Sequence, residues 1–287
     1  METRMQTSMI PFSVKLTDAE KTSAALLPEK GTLIAKILAE YGLVVIENAL
    51  DTTFVYEAKV NHDKALDGYL RERGGMDALA GKTFGDKHIG FFPPLLGVLS
   101  NPKIVANPIA IQVLRQVMGD VRSSFVHTNT ALPGSGYQPI HRDTPHLFGY
   151  NSIVTPMVHA VVNIPLCPFT LENGATEVWP KTHTLGDSSE ADAECIDKRA
   201  RLLPSVQTVL PVGSIIIRDL RLWHRGVPNP SQSIRTMVAV VYQRGFIHED
   251  VCTIPQTTWD GWDPSTQQVF RFNRVVADSA HTTRSWY

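Results

Sequence analysis

Gly213-Ser-Ile-Ile-Ile-Arg-Asp-Leu-Arg-Leu-Trp-His224-Arg-Gly-Val-Pro-Asn-Pro230, followed by Ser233-Ile-Arg235-Thr-Met-Val-Ala-Val-Val-Tyr242, decides the fold. Turn-forming residues bracket an apolar, β-branched run, a histidine follows at its end, and a second β-branched run returns, the pattern of successive short strands. Side chains alternate between the faces of a strand, so Arg235, Met237 and Ala239 share one face and a guanidinium enters an otherwise apolar pocket. A desolvated charge without a counter-ion is strongly unfavourable. The planar fork of arginine suits a carboxylate. Taken alone, Arg235 reads first as a surface arginine paired to an aspartate.

The second informative stretch is Gln138-Pro-Ile-His141-Arg-Asp143. In an extended chain His141 and Asp143 point to one face and Arg142 points away. Joined by His224 from a distant strand, they supply two imidazoles and one carboxylate on one face of an octahedron, which leaves up to three positions open. That donor set suits non-haem Fe(II). Zinc is the rival, but structural zinc prefers four closed ligands, often thiolates, and Cys167, Cys195 and Cys252 form no close-spaced pair. His-x-Asp by itself arises often by chance; its weight comes from the company of His224 and Arg235.

Around these stretches, helix signals dominate the first third of the chain and strand signals the middle. Leu33, Ile34, Ile37 and Leu38 form one face of a helix over residues 31–41 that Gly42 ends, and residues 43–46 read as a buried strand. Asp51 caps a helix through Tyr56 and Val60, and Asn107 or Pro108 opens another over residues 109–118. Strands are expected at residues 121–132, 157–165, 175–179, 206–210, 214–218 and 234–242. Short strands punctuated by Gly and Pro suggest a jelly roll, a mainly β domain with flanking helices (α+β). One domain is expected over residues 1–287, with helices within 1–120, a core over about 121–245 and a C-terminal extension at 246–287. Segments 74–97, 184–203 and 246–287 exceed what a barrel needs, so they are expected to wall the substrate pocket.

These stations, in order, resemble the phytanoyl-CoA dioxygenase-like family of Fe(II)- and 2-oxoglutarate-dependent oxygenases, especially its short members that tailor natural products. The likeness runs from about residue 31 to 242 and includes Glu172-Asn-Gly-Ala-Thr176-Glu-Val-Trp-Pro-Lys-Thr-His183. It implies a double-stranded β-helix of the cupin-like kind, with His141, Asp143 and His224 as iron ligands. It places Arg235 on the distal carboxylate of 2-oxoglutarate, with Gln138 and Thr176 as hydrogen-bonding neighbours of that cosubstrate. The implied reaction uses O2 and releases succinate and CO2 while a C–H bond of a small organic molecule, a secondary-metabolite intermediate, is hydroxylated, desaturated or rearranged. Halogenating relatives lack the carboxylate that Asp143 retains, so halogenation is not expected. Lys181 departs from the glycine that many relatives carry, which should alter a turn, and the family pattern makes His183 structural. Two rivals stand beside this reading: a cupin-type metalloenzyme that does not use 2-oxoglutarate, and a non-catalytic jelly-roll binding module.

Composition agrees with an enzyme acting on small molecules. The chain has 287 residues, 43% hydrophobic, with 27 basic against 28 acidic side chains, so a large core is affordable and no basic stripe calls for nucleic acid. Three scattered cysteines fit a reducing compartment. Residues 1–11 lack the continuous apolar core of a secretory signal, and the longest apolar stretch, 157–169, is broken by His159, Asn163, Pro165 and Pro168. A cytoplasmic protein without membrane contact is expected, and a homodimer is compatible with the resemblance.

Overall fold

The computed structural model describes residues 11–75, 84–148, 153–187, 189, 195–247 and 252–280. Its strands are β1 (Ser13–Lys15), β2 (Leu43–Glu47), β3 (His88–Phe91), β4 (Val121–Ala131), β5 (His159–Pro165), β6 (Glu177–Val178), β7 (Val206–Gln207), β8 (Ile215–Asp219), β9 (His224–Arg225), β10 (Arg235–Arg244), β11 (Thr253–Pro255) and β12 (Arg274–Val276). The main sheet runs β1-β2-β8-β5-β10-β4-β3, and a smaller one runs β7-β6-β9. The small sheet is extended by isolated bridges between His141 and His224 and between Ser135 and Asn229. The two sheets enclose a cavity lined from both sides, the jelly roll expected from the strand pattern.

Alternation along β10 separates core from cavity. Val238, Val240 and Tyr242 face the helices, where they join Ile34, Leu38, Ile109 and Leu114 in the largest apolar cluster. Arg235, Met237 and Val241 face the cavity. The helices start and stop where local chemistry demands. Asp51 accepts from the amides of Thr53 and Phe54 at the start of the helix Thr52–Glu72, and Asn107 accepts from Ala110 N at the start of Pro108–Met118.

The helix Pro28–Tyr41 ends at Gly42, whose φ of 77° lies in the left-handed region. A Cβ there would stand 2.8 Å from Leu222 Cδ1 and closer still to His183 Nδ1. Strain and overlap add, so Gly42→Ala is expected to cost about 2 kcal/mol or more, read from the midpoint of urea unfolding. Lys181 also adopts a left-handed φ, 71°, a conformation that glycine takes more readily. Its ammonium pairs with Glu40 at 2.9 Å and lies over the Tyr41 ring. His183 is buried with Nε2 3.1 Å from Ala39 O, away from the His141 cluster.

Several expectations are corrected. The first third supplies β1 and β3 to the main sheet as well as helices, so segment 74–97 contributes an edge strand and not only a lid; its residues 76–83 lie outside the described residues. None of the described residues of the C-terminal extension lines the cavity. Ile254, Trp262 and Phe270 instead pack into the helical cluster, and Trp262 Nε1 donates to Ser100 O at 2.8 Å. Residues 248–251 and 281–287 of that extension lie outside the described residues.

Candidate active site

Four strands of the main sheet present their inner faces in register. Phe125 of β4, Val241 of β10, Val161 of β5 and Arg218 of β8 form one row across it. His127, Ala239, Asn163 and Ile216 form the next, and Arg235 pairs with Ala131 four residues further down β10. The opposite wall comes from Thr176, Val178, Thr208, His224 and Gly226. Together they bound a cavity of about 890 Å³.

The histidine ligands expected from sequence are brought together by backbone pairing. His141 N donates to His224 O at 3.0 Å and His224 N to His141 O at 2.9 Å, while Asp143 N donates to Leu220 O at 2.8 Å. The three side chains place donor atoms within 4.8 Å of one another. Asp143 Oδ1 lies 3.7 Å from His141 Nε2 and 3.5 Å from His224 Nε2. Each Nδ1 faces a backbone carbonyl, Pro139 O at 2.8 Å and Leu222 O at 3.0 Å. A carbonyl only accepts, so the proton belongs on Nδ1 and the Nε2 lone pairs are left to converge on one point.

Electrostatics favours the ligating forms. Burial lowers the pKa of both imidazoles, that of His224 further because Arg218 stands beside it. Burial alone would raise the carboxyl of Asp143, but the Arg218 guanidinium, with His224 and His141, holds it well below the usual carboxylate range. Neutral imidazoles and an ionised carboxylate, hard to medium donors with no thiolate among them, are what a divalent iron site requires.

Arg218 is the site residue that the sequence reading missed. It is buried, and Nη2 donates to Asp143 Oδ2 at 2.6 Å. Its signal was present: an arginine closing the run Ile215-Ile-Ile217 should have raised the question asked of Arg235. Arg218 Nη1 also stands 3.2 Å from His224 Nδ1, and the Leu222 carbonyl is the partner there that leaves Nε2 open.

Arg235 reaches the cavity as expected. It is 3% exposed, its Nε has no hydrogen-bond partner, and its guanidinium lies 5.1 Å from the Phe169 ring centre. Burial pushes its pKa down to about 10. The other cavity arginines are neutralised: Arg142 by Asp187, Arg218 by Asp143 and Arg221 by Asp219. Among the described residues no carboxylate pairs with Arg235.

Gln138 and Thr176 both line the cavity. The Gln138 amide is engaged at both ends: Oε1 accepts from Gly226 N at 2.7 Å and Nε2 donates to Phe84 O at 2.7 Å. Gln138→Leu therefore leaves two backbone groups unpaired, and a melting point lowered with little change in cosubstrate KM is expected. A KM rise without that loss of stability would place the amide on the cosubstrate instead. The Thr176 carbonyl accepts from Thr208 N and Oγ1, which holds the residue in the wall.

The chain is similar to known proteins at three levels. The family described as phytanoyl-CoA dioxygenase (PhyH) matches residues 38–237. The dioxygenase andF of Emericella variicolor is 26% identical over 224 residues, 74% of this chain and 71% of that one. The iron/alpha-ketoglutarate-dependent dioxygenase ausO of Aspergillus calidoustus is 27% identical over 213 residues, 67% of this chain and 64% of that one. Among solved structures, the epimerase SnoN in complex with Fe3+, alpha ketoglutarate and nogalamycin RO superimposes with a TM-score of 0.60 at 17% identity, over 76% of this chain and 85% of that one.

Proposed function

As the chain belongs to the phytanoyl-CoA dioxygenase (PhyH) family, we propose that it is an Fe(II)- and 2-oxoglutarate-dependent dioxygenase that oxidises a C–H bond of a small secondary metabolite. The observation that carries this reading is a buried guanidinium, Arg235, with no described counter-ion, in the same cavity as a preassembled two-histidine, one-aspartate cluster. A keto diacid supplies what both ends lack: a chelating oxygen pair for the metal and a far carboxylate for the fork. The names of andF and ausO, a dioxygenase and an iron/alpha-ketoglutarate-dependent dioxygenase, support it.

His141, Asp143 and His224 would hold the iron, and Arg235 the distal carboxylate, with Gln138 and Thr176 shaping the wall beside it. When bound, iron and 2-oxoglutarate together reduce O2 and supply the oxidant that removes hydrogen from substrate, with succinate and CO2 released. The chain's own groups orient and exclude. Pro139 O and Leu222 O fix the imidazole planes, and Phe84 packs edge-on against His141 at 4.7 Å between ring centres. Because the remaining cavity cations are neutralised in place, the substrate face recognises an uncharged molecule through apolar contact with residues such as Phe125, Leu147, Val158 and Leu220. Leu147 and Phe148 are exposed beside the cavity, which suits entry of an apolar substrate. No described helix is long and apolar enough to cross a membrane, and action in the cytoplasm is proposed with the rest.

Anaerobic titration of 2-oxoglutarate into the Fe(II)-loaded protein tests the reading. A metal-to-ligand absorption band that saturates, and succinate formation once air is admitted, are expected. Absence of both would leave the cupin-type alternative, which has to find Arg235 another anion.

A further inference from the structure

We infer that Arg218 is a positioning residue that confines metal binding to one oxygen of Asp143 and so keeps open the coordination position at which O2 enters, an inference that rests on the iron reading above. The two carboxylate oxygens are divided between different partners. Oδ2 is held by Arg218 Nη2 at 2.6 Å, whereas Oδ1 faces both imidazole Nε2 atoms at 3.5 and 3.7 Å. Among the described residues no other side chain donates to Oδ2.

The guanidinium is well anchored for this task. Arg218 lies within β8, paired to Leu43 of β2 on one side and to Val161 of β5 on the other. Its side chain is 8% exposed against 33% for Asp143, so the arginine is the fixed partner and the carboxylate the one it orients.

Coordination arithmetic gives the consequence. A carboxylate free at both oxygens can grip a divalent ion with both. Two imidazoles and a two-handed carboxylate fill four of six positions, a chelating keto acid fills the other two, and nothing is left for a third ligand. With one oxygen retained by Arg218, the protein fills three positions, the keto acid two, and one stays available. The guanidinium also draws electron density from the carboxylate, which weakens it as a donor. Losing Arg218 therefore has two opposed effects on metal affinity, loss of orientation and gain of a second oxygen, but a single direction of effect on the last open position.

Nitric oxide, which binds ferrous iron at a vacant position and gives a characteristic electron paramagnetic resonance signal, is the probe. The Fe(II)-loaded enzyme with saturating 2-oxoglutarate is titrated anaerobically in the wild type, Arg218→Met, Arg218→Leu and Arg218→Lys. Expected is a nitric oxide affinity about tenfold or more weaker in the Met and Leu variants, neither of which can donate to Oδ2, the scale of effect that outer partners of metal ligands have, with Fe(II) and 2-oxoglutarate affinities changed about threefold or less. Lysine, which can still donate to Oδ2, should recover most of the loss. Unchanged nitric oxide affinity in Met or Leu overturns the inference, as does a parallel fall of iron, keto acid and nitric oxide binding without rescue by lysine, which would mark Arg218 as merely structural. If the Met variant does not fold, Leu and Lys decide the matter alone. A wild type that binds no 2-oxoglutarate overturns the underlying iron reading, a result separate from any change among the variants.

Discussion

Replacing His224 with alanine is expected to abolish substrate oxidation and to weaken Fe(II) binding by about a thousandfold, beyond the tenfold to hundredfold typical of outer-shell partners. The residue supplies one of three donors and, through its backbone exchange with His141, also sets the spacing of the other imidazole. Alanine keeps those backbone bonds, so the loss falls on the metal and not on the strand pairing. Competition against a chelator of known affinity measures it, and a thermal unfolding curve near that of the wild type's metal-free form confirms that the fold persists. Iron affinity within a few-fold of wild type would remove His224 from the site and with it the proposed chemistry.

Arg235→Met is expected to act in two opposite directions. The KM for 2-oxoglutarate should rise about a hundredfold, on the order of the loss of a buried bidentate ion pair. The protein without ligand should become more stable. Burial lowers the guanidinium's pKa from the ordinary arginine range to about 10, so the folded state disfavours the cation relative to the unfolded chain. That penalty, about 3 kcal/mol at the conversion of about 1.36 kcal/mol per pKa unit, is fully present below pH 10 and fades as pH rises toward the ordinary arginine range. Methionine fills much of the same volume over Phe169 without a charge, and the penalty disappears. Thermal unfolding with and without Fe(II) and 2-oxoglutarate checks both: the variant should melt higher than wild type when ligand-free and lose the rise that the keto acid produces in wild type. A variant that still gains the wild-type increment has another anchor for the distal carboxylate.

What could be read from the chain, and what could not, divides by the range of the interaction. Gly42, Asp51 and Asn107 end or begin helices through contacts within a few residues, and the sequence pattern placed all three. Arg235 was legible because alternation along one strand sets its face. β3 was not: His88-Ile-Gly-Phe91 has no clean alternation, and it becomes a strand only by pairing with β4 from Ala131 to Thr128. The strands expected at 175–179 and 206–210 shrink to Glu177–Val178 and Val206–Gln207, the residues that pair as a ladder, while Thr208 N makes a single bond to Thr176 O and Leu210 an isolated bridge to Phe169. Gln138 is the sharpest case. Its position before His141 suggested a ligand contact, and the fold adds a second role, since Oε1 accepts from the backbone N–H of Gly226, 88 residues away. No local pattern carries that information. Trp259 and Trp262 were equally unreadable as to side, since aromatic side chains serve a core as readily as a pocket.

The imidazole rings held by Pro139 and Leu222 carry a further consequence, for selectivity among metals. Donors fixed before an ion arrives demand little reorganisation from any divalent cation of suitable size, and two nitrogens with one oxygen bind nickel, copper and zinc more tightly than ferrous iron by the ordinary ordering of first-row metals. Rigidity that speeds loading thus removes a means of rejecting impostors. Occupancy by iron becomes a matter of supply, and zinc or nickel at comparable free concentration should silence the enzyme while leaving its fold and its grip on the keto acid intact.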